Sequence, residues 1–402
     1  MNAADRREAP AWDVLPLDAA ETRLVEAAAD FVRDRIAPEV EGWERDRSPV
    51  SRELIRDWSA LGFNGLQVPA AMGGQGASFP CKIRIAEIVA RASFCVSFSL
   101  TNLQGSATRI AREGSEDQVR RYLPGLMSGE IVCAPSLSEP GAGSDFAAIA
   151  TRATKVAGGW RIDGTKAWIT NGAVADLLIL YGQTEPGTGA RGIASFLVDL
   201  HAAGVTRAEP YRIAGAHAIG TSEIAFADVF VPDADLLAPA GVAFKRALSG
   251  ITGARTHVAA MACGIVADAL ARAVDHTRTR HAFGRPLVDN QGLRWQLADV
   301  ATELEAARAL TARAALEIEA GGDAILSASQ AKRYAADMAL RSVAACMQAM
   351  GATGLEERHP FARHLAGARV AAYVDGTTEM QRDRIGAYLA SRYGSGATPD
   401  AR

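Results

Sequence analysis

The sequence lacks the patterns that mark metal-binding and disulfide-rich proteins. It has five cysteines in 402 residues, an odd number, and no Cys-x-x-Cys pair. Neither a disulfide framework nor a zinc site is predicted, and most of the cysteines are expected to be small buried hydrophobic residues. The seven histidines form no site, because His276 and His281 lie five residues apart, off the spacing that shares a helix face.

An excess of charge of one sign and long apolar runs are absent as well. The formal net charge is -3, and no cluster of Lys and Arg is interleaved with aromatic residues, which argues against a nucleic-acid partner. No stretch approaches the ~20 uninterrupted apolar residues of a membrane span. Residues 1–10 are polar and mixed in charge, without the apolar core of a signal peptide. We expect a cytoplasmic protein with no membrane partner.

The sequence does have helical periodicity at both ends. Asp18 with Glu21 three residues later predicts a capping box at the start of an amphipathic helix. Further helices are predicted over residues 51–61, 82–92, 93–113 and 116–128. The region 1–129 is therefore interpreted as an N-terminal helical domain. After residue 243, Ala mixed with Leu, Val and Met at three- and four-residue spacings predicts closely packed long helices, a C-terminal four-helix bundle over 238–393. A flexible tail is expected at 394–402.

The middle region, 130–237, has a different texture. Short apolar or alternating runs at 177–181, 194–198 and 223–231 are separated by Gly and Pro and predict strands. We expect residues 160–169 to form a hairpin that turns at Asp163-Gly164. The prediction is a small β-barrel or β-sandwich domain between two helical ones, an α+β chain that is mainly helical.

Two stretches of the middle region have the composition of a ligand site. The first, Leu137 to Asp145, reads Leu-Ser-Glu-Pro-Gly-Ala-Gly-Ser-Asp and lets the backbone approach a ligand closely. The second, Gly164 to Gly172, reads Gly-Thr-Lys-Ala-Trp-Ile-Thr-Asn-Gly, so that Trp168 is placed to cover a ring face and Thr170 to offer a hydroxyl. Together they indicate one aromatic cofactor held edge-on.

The two motifs in this order resemble the flavin-binding pair of the acyl-CoA dehydrogenase family. The resemblance extends along nearly the whole chain and implies FAD as cofactor. It also implies removal of the α proton of an acyl thioester with transfer of the β hydride to flavin N5. In the middle domain it assigns cofactor contacts to Leu137, Ser138, Gly143, Ser144, Trp168, Ile169 and Thr170.

Three further segments resemble cofactor-binding positions of the family. Arg280 to Pro286, followed by Gln291, is similar to an Arg-x-x-Phe-Gly-x-Pro…Gln segment that meets the ADP portion of a neighbouring subunit's flavin. Alternatively, these are solvated arginines at a helix end. Gln348 to Gly354 resembles a Gln-x-x-Gly-Gly-x-Gly turn, with Ala352 at its second Gly. The cofactor contacts implied here are Arg280, Phe283, Gln291, Gln348, Gly351, Thr377 and Glu379.

The catalytic base is where this chain departs from the family. The usual Tyr-Glu-Gly-Thr motif matches Val374-Asp375-Gly376-Thr377, so Asp375, one methylene shorter, occupies the position of the Glu. Because about 1 Å of misplacement costs ~100-fold in rate, the shorter side chain implies a compensation in the site or a different reaction. A helix cap or a solvated loop carboxylate is the alternative role of Asp375. The usual Arg-Asp pair upstream is replaced by Ala366-Gly367. The position that carries the Glu in isovaleryl-type enzymes is Ala254.

The resemblance also implies the ligand and the partners. Ser144 and Arg255 match contacts to the coenzyme A chain, and the Asp375 backbone, next to Gly376, is expected at the thioester carbonyl. A solvated or paired Arg255 is the alternative. A free acyl-CoA and an acyl carrier protein thioester are not separated by the sequence. An electron-transfer flavoprotein as acceptor and a homodimer or homotetramer are implied. The rival readings are a nitroalkane oxidase, a branch that uses an Asp base here, and a non-enzymatic flavin-binding or scaffold protein.

Overall fold

The structure is a computed structural model that describes residues 14–393. The described chain divides into two compact units that interleave along the sequence. The first consists of residues 14–37, 79–94 and 251–393, and the second of residues 38–78 and 95–250. The predicted N-terminal domain contributes to both units, and its boundary at residue 129 stays a prediction. The tail predicted at 394–402 lies outside the described residues.

The described residues form eleven α-helices and ten strands. The helices are α1 (Ala19–Phe31), α2 (Val40–Asp46), α3 (Arg52–Ala60), α4 (Phe79–Ala92), α5 (Phe94–Glu113), α6 (Glu116–Ser128), α7 (Ala243–Thr279), α8 (Gln291–Glu319), α9 (Ile325–Ala349), α10 (Phe361–Tyr373) and α11 (Thr378–Tyr393). The strands are β1 (Cys133–Ser136), β2 (Arg152–Val156), β3 (Gly159–Ile169), β4 (Leu177–Gln183), β5 (Ile193–Asp199), β6 (Val205–Arg207), β7 (Ser222–Pro232), β8 (Leu236–Ala238), β9 (His281–Ala282) and β10 (Arg285–Pro286). A mainly helical chain with a β region between helical regions is confirmed.

Helix ends follow the local signals in the sequence. The Asp18 carboxylate accepts from the backbone N–H groups of Ala20 and Glu21, and Glu21 accepts from the N–H of Asp18, so the predicted capping box is confirmed. The helix α6 ends at Gly129, whose φ of 76° is left-handed. The short helix α2 was not predicted, because its seven residues carry too few turns to show a period.

The first unit is a set of packed helices with small residues on their facing sides. The helices α8, α10 and α11 pack against α9, and α4 packs against α1 and α8. The buried stripe of α9 is formed largely by alanine, which lets neighbouring helices approach closely. One core cluster lies here: Leu15, Phe79, Ile83, Ala260, Ala312 and Ala315. The sequence predicts helices over 244–280, 291–320, 324–350, 361–373 and 378–393, and the observed limits of α7 to α11 differ from these by one residue or less.

The helix α7 is long and apolar enough to cross a membrane by length and composition alone. Of its most apolar window, 67% is buried inside the protein, which is what a core helix requires. It is the only helix among residues 14–393 that passes this test, and one such helix is weak evidence for a span.

The second unit is built on one eight-stranded sheet. Seven strands follow the order β6-β7-β3-β2-β4-β5-β8, and β1 pairs with β4 in parallel. The neighbouring strands β4 and β5 are apolar runs and are buried along almost their whole length. The motif Leu137 to Asp145 leaves the sheet after β1 and returns at β2. The sheet therefore positions both ends of the first cofactor motif.

The hairpin predicted at Asp163-Gly164 is wrong. Residues Gly159–Ile169 form one strand, and the true hairpin turns at 157–158 between β2 and β3. Gly164 has a φ of 144° at a shift of register against β7, so the Asp-Gly pair makes a bulge inside the strand. A Cβ at Gly164 would lie 2.7 Å from the Cα of Thr151, so close approach of two strands explains this glycine.

All five cysteines lie among the described residues, are buried and form no disulfide bond. Burial raises the pKa of the Cys133 thiol to about 12, and the pKa of Cys81 and Cys346 to about 12 as well. The interpretation of the cysteines as small buried residues is confirmed.

Candidate active site

The first motif is a loop whose glycines face open space. Glu139 and Ala142 exchange backbone hydrogen bonds of 2.9 and 3.2 Å, which closes the loop into a tight bridge. No atom lies within 4 Å of the position that a Cβ would take at Gly141 or at Gly143. Gly143 and Ser144 are exposed, whereas Leu137 packs partly against the core of this unit. The loop is thus anchored on the core at Leu137 and presents its backbone and hydroxyl groups to a ligand.

A buried ion pair fixes this loop to the strand that carries the second motif. The Nζ atom of Lys166 lies 2.8 Å from Glu139 Oε1, and the two side chains are 0% and 6% exposed. The Glu139 carboxylate also accepts from the N–H groups of Ala150 and Thr151 at 2.7 and 3.0 Å. Ser138 O accepts from Ala167 N at 3.0 Å. Burial lowers the pKa of Lys166 to about 8, against the attraction of Glu139.

The second motif presents an aromatic face. Trp168 has a φ of 58°, and its side chain is 60% exposed and stacks on Tyr211 with ring centroids 4.4 Å apart. Thr170 is partly exposed, whereas the Ile169 side chain is buried, so only its backbone is accessible. Asn171, also left-handed, exchanges hydrogen bonds of 2.5 and 3.0 Å with Ser99.

These residues fit a flat, polar-edged cofactor. An exposed indole backed by a second ring suits the face of a ring system, and the open backbone beside Gly141 and Gly143 suits its polar edge. The left-handed φ of Trp168 is backbone strain for a bulky residue, and such strain concentrates at ligand sites. Among the described residues, no group of three or more His, Cys, Asp or Glu side chains is arranged to hold a metal ion.

In the first unit, Asp375 lies in a strained loop between α10 and α11. Val374 is extended, and Asp375 and Gly376 are successive left-handed residues with φ of 52° and 86°. A Cβ at Gly376 would lie 2.9 Å from Gln381 Nε2, so glycine is required there on two counts. The Asp375 side chain is partly exposed, and no described residue of this unit donates a hydrogen bond to its carboxylate. A carboxylate held this way is free to accept a proton from a ligand.

Three donors hold the backbone of this loop. Arg255 Nε donates to Asp375 O at 3.2 Å, Gln381 Nε2 donates to Gly376 O at 3.0 Å, and Lys332 Nζ donates to the same Gly376 oxygen. Burial raises the pKa of Asp375 above its usual range, and the positive charges of Lys332 and Arg255 oppose that rise.

The other predicted residues of this loop have ordinary structural contacts. Thr377 Oγ1 accepts from Met380 N at 3.3 Å, which caps α11. Glu379 is exposed, and Arg382 lies 3.4 Å from its carboxylate. Their contacts to a cofactor remain a prediction.

The replacement of the family's Arg-Asp pair by Ala366-Gly367 has a steric reason. A Cβ at Gly367 would lie 2.7 Å from the Cβ of Phe94, so an Asp side chain has no room. Phe94 is 1% exposed and fills this place. Position 367 therefore accepts no side chain in this packing, next to the buried Phe94.

A separate pocket of the first unit brings together three of the predicted cofactor residues. It has a volume of about 620 Å³ and is lined by Arg280, Gln348 and Gly351, with nine further residues from the end of α7, the start of α8 and the turn after α9. Gly351 is left-handed with open space at its Cβ position. Phe283, on the turn between β9 and β10, is 99% exposed, and Gln291 is exposed at the start of α8. Phe283 and Gln291 lie outside the pocket lining.

Sequence reasoning missed four residues of these sites. Lys332 and the Glu139–Lys166 pair are charged groups buried in the fold, and Tyr211 supports Trp168. A signal for Lys332 exists, because it is a single charge on the alanine stripe of α9. A signal for the ion pair exists as well, because one motif contains a glutamate and the other a lysine of opposite charge. No local pattern indicates Tyr211.

Three family models match in the order in which the sequence motifs occur. They are the acyl-CoA dehydrogenase N-terminal domain over residues 18–130, the middle domain over 134–229 and the C-terminal domain over 244–390.

Two curated relatives and one solved structure are similar over most of their length. An acyl-CoA dehydrogenase of Bacillus subtilis is 36% identical over 90% of this chain and 95% of its own. A rat mitochondrial short/branched chain specific acyl-CoA dehydrogenase is 32% identical over 92% and 85%. The structure of butyryl-CoA dehydrogenase from Megasphaera elsdenii, 32% identical, covers 93% of this chain and 99% of its own with a TM-score of 0.89. The chain therefore belongs to the acyl-CoA dehydrogenase family of FAD-dependent oxidoreductases.

Proposed function

We propose that this protein binds FAD and oxidises an acyl-CoA thioester to the 2-enoyl-CoA, with Asp375 as the base. The observation that carries the proposal is the Asp375 carboxylate, which is partly buried, left without a donor in its unit and held on a strained backbone. Its raised pKa makes it a better proton acceptor than a solvated carboxylate.

The protein supplies the base and the orientation of the ligand. The Asp375 carboxylate takes the α proton, and the electron pair of the broken C–H bond forms the new double bond as hydride leaves the β carbon. FAD, when bound, supplies N5 as the acceptor of that hydride. The N–H of Asp375 polarises the thioester carbonyl, which makes the α proton more acidic. Ser144, Arg255 and Gly376 are assigned to the thioester ligand. Arg255 is 4% exposed and donates to Asp375 O, so it also holds the loop that carries the proposed base.

The proposed cofactor contacts fall into two sets of residues. Leu137, Ser138, Gly143, Trp168, Ile169 and Thr170 are assigned to the flavin ring and its ribityl chain. The 620 Å³ pocket with Arg280, Gln348 and Gly351, together with Phe283 and Gln291, is assigned to the ADP portion of a FAD held mainly by a second subunit. Thr377 and Glu379 follow the base and are assigned to the same cofactor. The protein then works as a homodimer or homotetramer, and an electron-transfer flavoprotein in the cytoplasm takes the electrons.

The test is an anaerobic titration of the purified yellow protein, followed by its visible spectrum. The ligands are butyryl-CoA, 2-methylbutyryl-CoA and cyclohexanecarboxyl-CoA, which represent straight, α-branched and alicyclic acyl groups. Bleaching of the flavin band by one class supports the proposal and identifies what the short base accommodates. A protein that binds no FAD contradicts it.

An oxidase of a small carbon acid is the second candidate, because Asp375 matches the base of nitroalkane oxidases. Oxidation of nitroethane in air with release of peroxide, together with no bleaching by any thioester, would favour that reaction. Bleaching by an acyl carrier protein thioester alone would mean that the reaction is the same dehydrogenation but that the acyl group is bound to a carrier protein and not to coenzyme A.

A further inference from the structure

Lys332 is a completely buried cation, and the other buried residues of α9 are uncharged. Its exposure is 0%, and Ala328, Ala331 and Ala335 around it on α9 are also at 0%. A buried ammonium group is costly unless it is hydrogen-bonded and close to an opposite charge. A lysine at this place in a helix core therefore calls for a reason.

Its ammonium group is directed at the loop of the proposed base. Lys332 Nζ donates to Gly376 O, and this oxygen already accepts from the neutral Gln381 side chain at 3.0 Å. Arg255 Nε donates to the preceding carbonyl, that of Asp375. Three helices, α7, α9 and α11, thus hold one left-handed dipeptide. Because Gln381 alone satisfies the carbonyl, what Lys332 adds is a second donor and a positive charge.

The charges around Asp375 give that ammonium group a role. Asp375 faces two cations, Lys332 from α9 and Arg255 from α7. Lys332 is in turn attracted by Asp375 and Glu379 and repelled by Arg255, and burial lowers its pKa to about 8. Arg255 is repelled by Arg384, and burial lowers its pKa to about 10. Lys332 is therefore mainly charged at neutral pH. Because it is completely buried, its charge acts on Asp375 without a screening layer of water.

We propose that Lys332 is a positioning residue of the base, which fixes the peptide between Asp375 and Gly376 and holds the Asp375 carboxylate in its ionised form by its charge. The inference rests on the proposed function in that it takes Asp375 as the base. It goes beyond that function in naming a group, remote from the ligand, that sets the pH range over which Asp375 accepts a proton.

The experiment compares Lys332→Met with a matched control, Gln381→Met. Both remove one donor to Gly376 O, and both residues are fully buried, but only Lys332 carries charge. The first readout is the protonation of Asp375 in the FAD-bound protein. Protonation is monitored by the infrared band of the protonated carboxyl group. This band is obtained as the difference spectrum between each protein and the same protein with Asp375→Asn. The second is the pH dependence of flavin reduction by the acyl-CoA that bleaches the wild type fastest.

We expect Lys332→Met to protonate Asp375 at higher pH than the wild type does, because a favourable charge is lost. Its reduction rate then falls roughly tenfold for each pH unit by which the acid limb is displaced. Gln381→Met, whatever its reduction rate, should keep its acid limb at the wild-type pH. Lys332→Arg, which keeps the charge, restores the wild-type limb. If Lys332→Met does not fold, Lys332→Gln, which removes the charge and keeps a polar side chain, takes its place.

The inference is overturned if Lys332→Met and the wild type titrate together, or if both methionine variants shift equally, since a neutral contact would then explain the effect. The infrared readout needs no substrate. A protein that no thioester reduces would defeat the proposed function, while the infrared comparison would still decide the role of Lys332.

Discussion

At the scale of single residues, Asp375 combines a short side chain with an unusual backbone. A non-glycine residue at φ 52° is strained, and this one persists because three donors hold the two carbonyls of the dipeptide. Its raised pKa means that the ionised carboxylate is less favourable in the folded protein than in the unfolded one. Activity at this residue is therefore expected to come at the expense of stability.

Asp375→Asn tests both halves of that statement. Flavin reduction should fall by a factor of about 100 or more, because no carboxylate takes the α proton, while FAD stays bound. Since the folded pKa lies above the ordinary 3.8, the wild type loses stability as the pH rises through that window. The variant should therefore match or exceed the wild-type Tm at pH 7 and show a smaller advantage at pH 4. Thermal unfolding at both pH values measures this, and a lower Tm at pH 7 would contradict it.

Asp375→Glu tests whether the site is built around the shorter base. The backbone at this position is held on both sides, so an added methylene moves the carboxylate by about 1 Å, and the reduction rate should fall roughly 100-fold. Stopped-flow reduction with the preferred acyl-CoA measures the change. A rate equal to or above that of the wild type would mean that the pocket still has the shape suited to glutamate.

At the scale of elements, the cofactor loop depends on β3. The buried pair Glu139–Lys166 joins the loop to the strand, and the same strand ends in the bulge that exposes Trp168. Glu139 and Lys166 lie 27 residues apart in the chain, and the two motifs still form one structural unit. Their coupling is electrostatic as well as steric.

Glu139→Gln should loosen this loop. It leaves Lys166 buried without its counter-charge, which costs about 3 kcal/mol or more in unfolding free energy and should lower FAD affinity. Glu185→Gln, an exposed carboxylate of the same unit, is the control and should change neither. Denaturant unfolding and FAD titration of the apoprotein are the measurements.

The pair also predicts a pH dependence and a rescue. The pKa of Glu139 lies below its ordinary value, with burial opposed by the charge of Lys166. Its contribution is therefore present above pH 4.5 and is lost as the pH falls through the folded pKa. Glu139→Gln should weaken this acid loss of stability, and Glu139→Gln combined with Lys166→Met should recover part of the stability, because no charge is then left unpaired. If the double variant were no more stable than Glu139→Gln alone, the unpaired charge of Lys166 would not be the cause of the lost stability.

At the scale of the whole molecule, the pocket at the end of α7 is the place where the proposed second subunit would bind its FAD. Arg280 lines it without a salt-bridge partner among the described residues, and Phe283 beside it is almost fully exposed. A large exposed aromatic residue next to an unpaired arginine is typical of a surface that another molecule covers.

Arg280→Met should weaken FAD binding roughly tenfold or more, because a charge-assisted hydrogen bond to a pyrophosphate oxygen is lost. Arg285→Met is the control: Arg285 is also exposed but donates to Asn290 and lies outside the pocket lining. Reconstitution of the apoprotein with FAD at several protein concentrations, with light scattering for the oligomer, makes the measurement. Equal FAD affinity in both variants would exclude the pocket as an FAD site.

Local patterns in the sequence determined most of the helices and four of the ten strands, β3, β4, β5 and β7. The resemblance to the family indicated the cofactor motifs and the position of the proposed base. A capping box, a helical period or a Gly-rich turn acts over a few residues, so Asp18 with Glu21 and the segment Leu137 to Asp145 can be interpreted without knowledge of the fold. Tertiary structure decided the rest. It made Asp163-Gly164 a bulge because a neighbouring strand passes at Thr151, and it gave the space at Gly367 to Phe94. It also brought Lys332, Arg255 and Gln381 to the base, from helices separated by dozens of residues, through close packing that no local pattern records.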